Sequence, residues 1–498
     1  MRLTVNMTIP TLEIPGTEAA PGGFADRVRS AVFWRWGSQV LAQIITWSAT
    51  IIVVRLLDPH DYGLFAMTQA VLVALNFLNG YSFATSLVQA REIDARRVGQ
   101  VFGLLILSNL ILAAAQWLLA PLAAQYYGQP AIADMLRVQC LVFLTTPFIA
   151  LPSALLARKI EFRSQALITL VCAVIGAGIA LGLAWAGYGV WALVLAPIAG
   201  FIARAIGLTI AARLLVWPVF NFRGAREVIG FGSALTLCQL FWIIQSQSDI
   251  FIAGRSFTPH DLGLYSEALF LTLIFTGRFL PPLNEIAFPA YAELSNAGQS
   301  LAPAFLSSAR LVMLLAAPLY IGLSLTAESL IATVFGPKWL EMASITAGLA
   351  LAMPAMVLQI VCSPATNALS LPRIYVTSSL CGAVLMPACF LIGVKFGPAG
   401  LIHSWQLAAP LLLAITLALT LPAIGVRLRD LVTTLLPVGV ATGIMASAVM
   451  LADYLTPALA PAAELGLRVG VGAVAYCGTL LLAWPEIARN TLTMLRRR

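Results

Sequence analysis

The chain has 498 residues, 60% of them apolar, only 10% charged, and a net charge of +8; soluble domains carry about 25% charged residues. A membrane-spanning helix takes about 20 residues, so roughly fourteen spans would absorb nearly all of the apolar side chains. That excludes an ordinary cytosolic or secreted enzyme and points to an all-α polytopic membrane protein.

Residues 1–30 hold Glu13, Glu18 and Asp26 among three prolines, unlike a basic segment leading into a short apolar core. They read as a flexible cytoplasmic arm with no cleaved leader. Spanning runs follow at about 33–54, 65–88, 99–124, 137–157, 165–187 and 191–214, a first six-helix set. A second set lies at about 230–253, 264–288, 307–334, 342–369, 375–394 and 399–421, and a final pair at about 432–452 and 466–485. The expected organisation is an arm over 1–30, lobes over 31–220 and 221–425, and two further helices with a basic tail over 426–498. Seven cysteines stand singly, with no CxxC and no Cys/His cluster. They read as small buried thiols, and no metal or cofactor site is expected.

The basic residues orient this threading. With the N-terminus inside, 19 Lys/Arg fall on cytoplasmic segments and 6 on the opposite side. Cytoplasmic loops retain Lys and Arg, so the asymmetry predicts about 14 spans with both termini cytoplasmic. It also accounts for the basic charge without nucleic acid.

The chain repeats itself. Arg55-Leu-Leu-Asp-Pro59-His60-Asp61-Tyr62-Gly63-Leu64-Phe65 returns 200 residues later as Arg255-Ser-Phe-Thr-Pro259-His260-Asp261-Leu262-Gly263-Leu264-Tyr265. Three further echoes keep nearly this offset: Tyr127-Gly128 with Phe335-Gly336, Ala154-Leu155 with Ala368-Leu369, and Tyr188-Gly189 with Phe396-Gly397. Six spans separate equivalent elements, which predicts a parallel repeat, 6 + 6 + 2. The shared turn reads as structural: proline halts one helix, aspartate caps the next and glycine frees the backbone. A pH-sensing role for His60 and His260 is the alternative.

With its Arg55-to-Phe65 turn and its 12–14 spans, the chain resembles the Wzx-type polysaccharide flippases, from the superfamily of the MATE exporters and lipid II flippases. The resemblance covers most of residues 30–425. It implies a V-shaped pair of lobes that flips undecaprenyl-pyrophosphate-linked oligosaccharide by alternating access, from the cytoplasmic to the periplasmic face of a bacterial inner membrane. It implies that lipid-linked glycan and the bilayer as partners, and allows a polysaccharide polymerase and export machinery.

A pyrophosphate and a glycan cannot shed their water in hydrocarbon, so such a transporter needs a polar, cation-bearing cavity. Polar residues inside spans mark its candidate walls. Arg35, Gln39, Gln43 and Thr46 share one face of the first span, and Gln69, Asn76 and Asn79 share one of the second. In the seventh, Gln239, Trp242, Gln245, Ser246 and Asp249 share an arc; in the eighth, Glu267, Arg278 and Glu285 align, with continuity past Pro281-Pro282 in doubt. Arg35, Gln39, Gln43, Asn76, Gln239, Trp242 and Arg278 are the candidate substrate contacts. Asp249, Glu267 and Glu285 are the candidate ion carriers.

Each has a plainer alternative. Arg35 lies between Trp34 and Trp36 and would suit an interfacial anchor; Arg278 would suit a structural pair with Glu267 or Glu285. Asp249 would suit a solvated helix end, and the amides would suit interhelical hydrogen bonds. No P-loop or triad appears, so no catalytic residue is expected. A MATE-like exporter of organic cations is the second reading, and a membrane glycan-transfer enzyme the third. The longest expected loop, about 289–306, is too short for that enzyme's soluble domain.

Overall fold

A computed structural model describes residues 24–79, 83–84, 87, 95–158, 162–213, 216–221, 226–369, 371–457 and 459–486, without the side chains of 24–36, 162, 226–239, 242 and 372. The described residues are helical, with no strand among them. In chain order they form α1 (Phe24–Leu56), α2 (Pro59–Asn76), α3 (Ala95–Tyr127), α4 (Ala131–Gln139), α5 (Leu141–Thr145), α6 (Pro147–Arg158), α7 (Phe162–Trp185) and α8 (Val190–Ala211). There follow α9 (Arg226–Ser256), α10 (Pro259–Asn296), α11 (Ala302–Val334), α12 (Met342–Ala368), α13 (Pro372–Gly393), α14 (Gly397–Ile424), α15 (Leu428–Leu455) and α16 (Pro461–Ala483).

Ten described stretches are long and apolar enough to cross a membrane, one of them joining α13 and α14. Helices α2, α9 and α10 fall outside the ten. They are the predicted second, seventh and eighth spans, and their in-span polar residues and polar opening turns dilute the apolar run.

Helix starts follow the sequence closely. Pro59 and Pro259 occupy the first turns of α2 and α10, where a missing N–H costs nothing. The aspartates act from inside the helix rather than at its cap. Asp61 accepts from the Asp58 N–H at 3.4 Å; Thr258 caps α10, accepting from the Asp261 N–H at 3.2 Å and donating to the Asp261 carboxylate at 2.7 Å. The echoed glycines Gly128 and Gly336, with φ of 66° and 95°, take the left-handed region that a side chain resists.

One expectation is corrected. Helix α10 runs unbroken through Pro281, Pro282 and Pro289 to Asn296, so the loop expected at 289–306 shrinks to the few residues before Ala302. Apolar surroundings leave the backbone no better alternative than the helix, which makes prolines tolerable there. They deprive the Gly277, Arg278 and Glu285 carbonyls of their i+4 donors. The expected fourth span, by contrast, stands as one apolar stretch, Ala131–Arg158, in which single turn residues at Cys140 and Thr146 separate α4, α5 and α6.

The chain divides into two compact units: residues up to Leu56 with Val71–Gln239, and Leu57–Ala70 with Leu240–Arg498. In the first, α1 packs on α7 and α7 on α8. A core of Phe102, Leu105, Ala150 and Leu151 joins α3 to α6. The segment after α8 lies along α3: the Val219 N–H donates to the Gly99 carbonyl at 2.8 Å, and Gln100 Nε2 donates to the Asn221 carbonyl at 2.7 Å.

In the second unit α12 packs against α10, α11 and α14. Helices α15 and α16 close on α11 through Leu314, Ala317, Ala441, Met445 and Tyr476, and the Tyr476 hydroxyl donates to the Leu314 carbonyl at 2.8 Å. Arg468, only 12% exposed in its side chain, bridges Asp453 and Glu464 and donates to the Leu325 carbonyl.

Candidate functional site

The candidate residues divide between the two units, and the second unit carries the best-defined geometry. On α10, Glu267, Arg278 and Glu285 recur at spacings of 11 and 7, which places them on one face of an unbroken helix. The rise of 1.5 Å per residue separates them by about 16 Å and about 10 Å. Arg278 is exposed and pairs with neither carboxylate among the described residues. The structural ion pair is therefore not formed. Glu267 is half-buried and Glu285 exposed, and neither makes a hydrogen bond or ion pair among the described residues. The face thus presents a guanidinium between two carboxylates, none of the three in a hydrogen bond or ion pair among the described residues.

Asp249, a candidate ion carrier, is not the solvated helix end that was its plainer alternative. It lies near the C-terminal end of α9 but is 0% exposed. The Tyr265 hydroxyl donates to it at 2.8 Å, and the Ile250 N–H does so at 2.8 Å. Trp405 Nε1 donates to the Tyr265 oxygen at 2.8 Å. This chain, Trp405 to Tyr265 to Asp249, ties α14 to α10 to α9. Charge-assisted bonds of this length hold a buried carboxylate that would otherwise be very costly.

Neither Tyr265 nor Trp405 was a candidate from the sequence. A signal did exist. Two hundred residues earlier, Ala49 and Phe65 stand where Asp249 and Tyr265 stand, so a carboxylate and a hydroxyl enter the second half together.

Gln245 is half-buried against α13: a Cβ built on Gly382 would fall 2.2 Å from its Oε1. Ser246 turns back to the Ile243 carbonyl. Gln239 and Trp242 lie on α9, with side chains outside the described residues.

In the first unit, Arg35 lies on α1 with its side chain likewise outside the described residues. Gln39 is exposed and Gln43 half-buried, with no hydrogen bond to either among the described residues. Thr46 is spent on the Ala42 carbonyl. Asn79 donates to Asn76 Oδ1 at 3.0 Å, linking the two amides through one bond. Helix α3 holds two buried amides that no sequence pattern flagged. Asn109 donates to the Asn79 carbonyl at 2.8 Å, and Gln116 to the Leu136 carbonyl at 2.7 Å. Each stitches α3 to a neighbouring segment, the plainer of the two roles foreseen for such amides.

Comparison with known proteins bears on this arrangement. Residues 52–344, more than half the chain, match the family model described as polysaccharide biosynthesis protein. The chain is 25% identical over 288 residues to the succinoglycan biosynthesis transport protein ExoT of Rhizobium meliloti (strain 1021), covering 58% of each chain. It is 21% identical over 294 residues to the lipopolysaccharide biosynthesis protein WzxC of Escherichia coli (strain K12), covering 58% of this chain and 59% of that one. The chain thus spans under two thirds of the length of these curated relatives. Among solved structures, the lipid II flippase MurJ in an inward closed conformation superposes with a TM-score of 0.74 at 13% identity, over 92% of this chain and 100% of that one. An inward-facing multidrug resistance MATE transporter gives 0.61 at 14% identity, over 77% and 94%. These likenesses establish the fold.

Proposed function

The chain belongs to the polysaccharide biosynthesis protein family, and from that premise we propose that it is a flippase carrying a polyprenyl-pyrophosphate-linked oligosaccharide across the bacterial inner membrane, from the cytoplasmic to the periplasmic face. The observation that carries this reading is the α10 face. A mid-helix arginine, exposed and unpaired among the described residues, is costly in a membrane unless it lines a polar cavity and meets an anion. A pyrophosphate offers a guanidinium charge-assisted, bidentate contacts. The Gln39 and Gln43 amides of α1 suit sugar hydroxyls, and Arg35, Gln239 and Trp242 complete the proposed lining.

The expected 14 spans and parallel repeat belong to the same proposal, with the lobes over 31–220 and 221–425. The echoed turns support it, since equivalent sequences start equivalent helices at Pro59 and Pro259. Both termini are assigned to the cytoplasm from the Lys/Arg asymmetry, which turns the Pro59 and Pro259 ends outward. Glu267 and Glu285, without a hydrogen bond or ion pair among the described residues, are better placed to carry an ion than Asp249, whose carboxylate is occupied by Tyr265 and Ile250.

The decisive experiment is gene deletion followed by localisation of the lipid-linked glycan. The glycan should accumulate on the cytoplasmic face; periplasmic accumulation would sink the proposal. An organic-cation exporter shares the fold, but an exposed Arg278 would repel its cargo.

A further inference from the structure

Helices α2 and α10 cross closely where they begin, and both beginnings lie in the second unit. A Cβ built on Gly63 would fall 1.7 Å from the Pro259 carbonyl oxygen, and one built on Gly263 would fall 1.8 Å from that of Pro59. The contact is reciprocal: each glycine admits the other turn's proline carbonyl. Side chains one turn further along either helix, on the glycine's face, are thereby brought to the opposite helix.

Glu267 is such a residue, four positions after Gly263 on α10. Tyr62 meets it from α2. The tyrosine is only 5% exposed, and its hydroxyl makes no hydrogen bond among the described residues. The Glu267 carboxylate acts on that hydroxyl electrostatically. Trp339, itself fully buried, holds the Tyr62 ring edge-on at 5.2 Å and fixes where the hydroxyl points.

The reciprocal positions show that packing does not require this pair. At the offset of 200 residues, Tyr62 corresponds to Leu262 and Glu267 to Met67. Leu262 and Met67 are both 0% exposed. The same crossing thus accepts hydrocarbon at the equivalent places, while a phenol and a carboxylate occupy the other two.

The surroundings of Glu267 call for a cation. A carboxylate within a span is costly unless something neutralises it. Helix α12, packed along α10, has no charged residue between Met342 and Ala368. Arg278 stands about 16 Å away along the axis of α10, and Lys338 is engaged by Asp58 at 2.7 Å. A carboxyl and a phenol in direct contact could satisfy each other with one hydrogen bond. Here they are held close without one, an arrangement that suits a ligand bridging two oxygens. Hard cations take oxygen ligands, and one carboxylate balances one positive charge. No group of three His, Cys, Asp or Glu side chains is assembled among the described residues, which disfavours a divalent metal.

We propose that Tyr62 and Glu267 form a binding site for a monovalent alkali cation, the carboxylate supplying the charge and the phenol oxygen a second ligand. The inference deepens the proposed function, in which Glu267 is an ion carrier, and gives that carrier its partner and its ligand.

The test measures binding without relying on transport. The full chain is purified into nanodiscs of neutral lipid, and equilibrium binding of radioactive sodium is read at constant ionic strength with choline as the inert cation. Binding should be saturable. Glu267→Gln should abolish it, and Tyr62→Phe, which keeps the ring against Trp339, should weaken it about tenfold. Met67→Leu and Glu285→Gln should leave it unchanged. Competition by unlabelled potassium ranks the two ions; equal displacement by choline would mean charge screening and would overturn the site. So would the absence of saturable binding, binding that survives Glu267→Gln, or parental affinity in Tyr62→Phe.

Should Glu267→Gln fail to accumulate, the affinity of Tyr62→Phe decides alone. If sodium binds as described but the lipid-linked glycan does not depend on this protein, the flippase reading fails and the site stands. If the glycan does depend on it and no alkali cation binds, the site fails and the flippase reading stands.

Discussion

Removing the Tyr265 hydroxyl should destabilise the protein substantially. Tyr265 is 0% exposed, donates to Asp249 and accepts from Trp405, each at 2.8 Å. Tyr265→Phe removes a hydrogen bond to a charged group, worth about 1.5–3 kcal/mol, and leaves the Trp405 indole N–H buried and unpaired, which costs about 1–3 kcal/mol more. Allowing for local relaxation, the expected loss is about 3 kcal/mol. Trp405→Phe keeps the Tyr265–Asp249 bond and should cost less than Tyr265→Phe through the hydrogen bond itself, with a further packing term from the smaller ring. Asp249→Asn retains an acceptor for the tyrosine and should be milder than Tyr265→Phe. The double variant Asp249→Asn/Tyr265→Phe should cost less than the sum of its parts, by about 1–3 kcal/mol, because the two residues act through one bond. Reversible denaturation of the purified protein in detergent, with Thr433→Ala as an exposed control, reads these differences. A Tyr265→Phe protein within about 0.5 kcal/mol of the parent would refute the reasoning, because the buried carboxylate would then have another means of support.

Other consequences can be measured separately. Arg278→Ala should leave the protein inserted and folded but abolish glycan export, with Arg278→Lys restoring only part, because lysine keeps the charge and loses the planar fork; export at the parental rate by Arg278→Ala would remove the pyrophosphate role. Gly103→Ala would place a Cβ 2.5 Å from the Val219 carbonyl oxygen, so the 216–221 segment should lift from α3 at a cost of about 1–3 kcal/mol, seen as faster cleavage there in limited proteolysis. Arg468→Ala leaves Asp453 and Glu464 repelling each other against α11 and should lower the thermal midpoint in detergent, with Asp453→Asn recovering part of the loss. Reporter fusions after Arg97 and after Lys395 should report opposite sides of the membrane; matching signals would show that a span was missed or invented between them.

What the sequence determined by itself is whatever depends on composition and local spacing. Sixty per cent apolar residues in spanning runs dictate a helical membrane protein, since hydrocarbon leaves a backbone no other way to satisfy its own hydrogen bonds. The Pro59 and Pro259 turns announced two helix starts because proline and aspartate act within a single turn. The spacing of Glu267, Arg278 and Glu285 gave their common face, which needs only the helical period.

Tertiary structure decided the rest. Periodicity places residues around an axis but says nothing of what stands opposite, so Asp249 looked like a helix end until α10 and α14 brought Tyr265 and Trp405 to it. The pairing of Arg278 with a carboxylate seemed available on a helical wheel, yet the rise along α10 holds the charges apart. The Pro281-Pro282 pair looked like a break because intrinsic propensity was the only guide, whereas surroundings that offer no alternative donors keep the helix going. The glycines at 63 and 263 could be read only as flexible turn residues. That each receives the other turn's carbonyl is a contact between segments 200 residues apart, and only the folded chain brings them together.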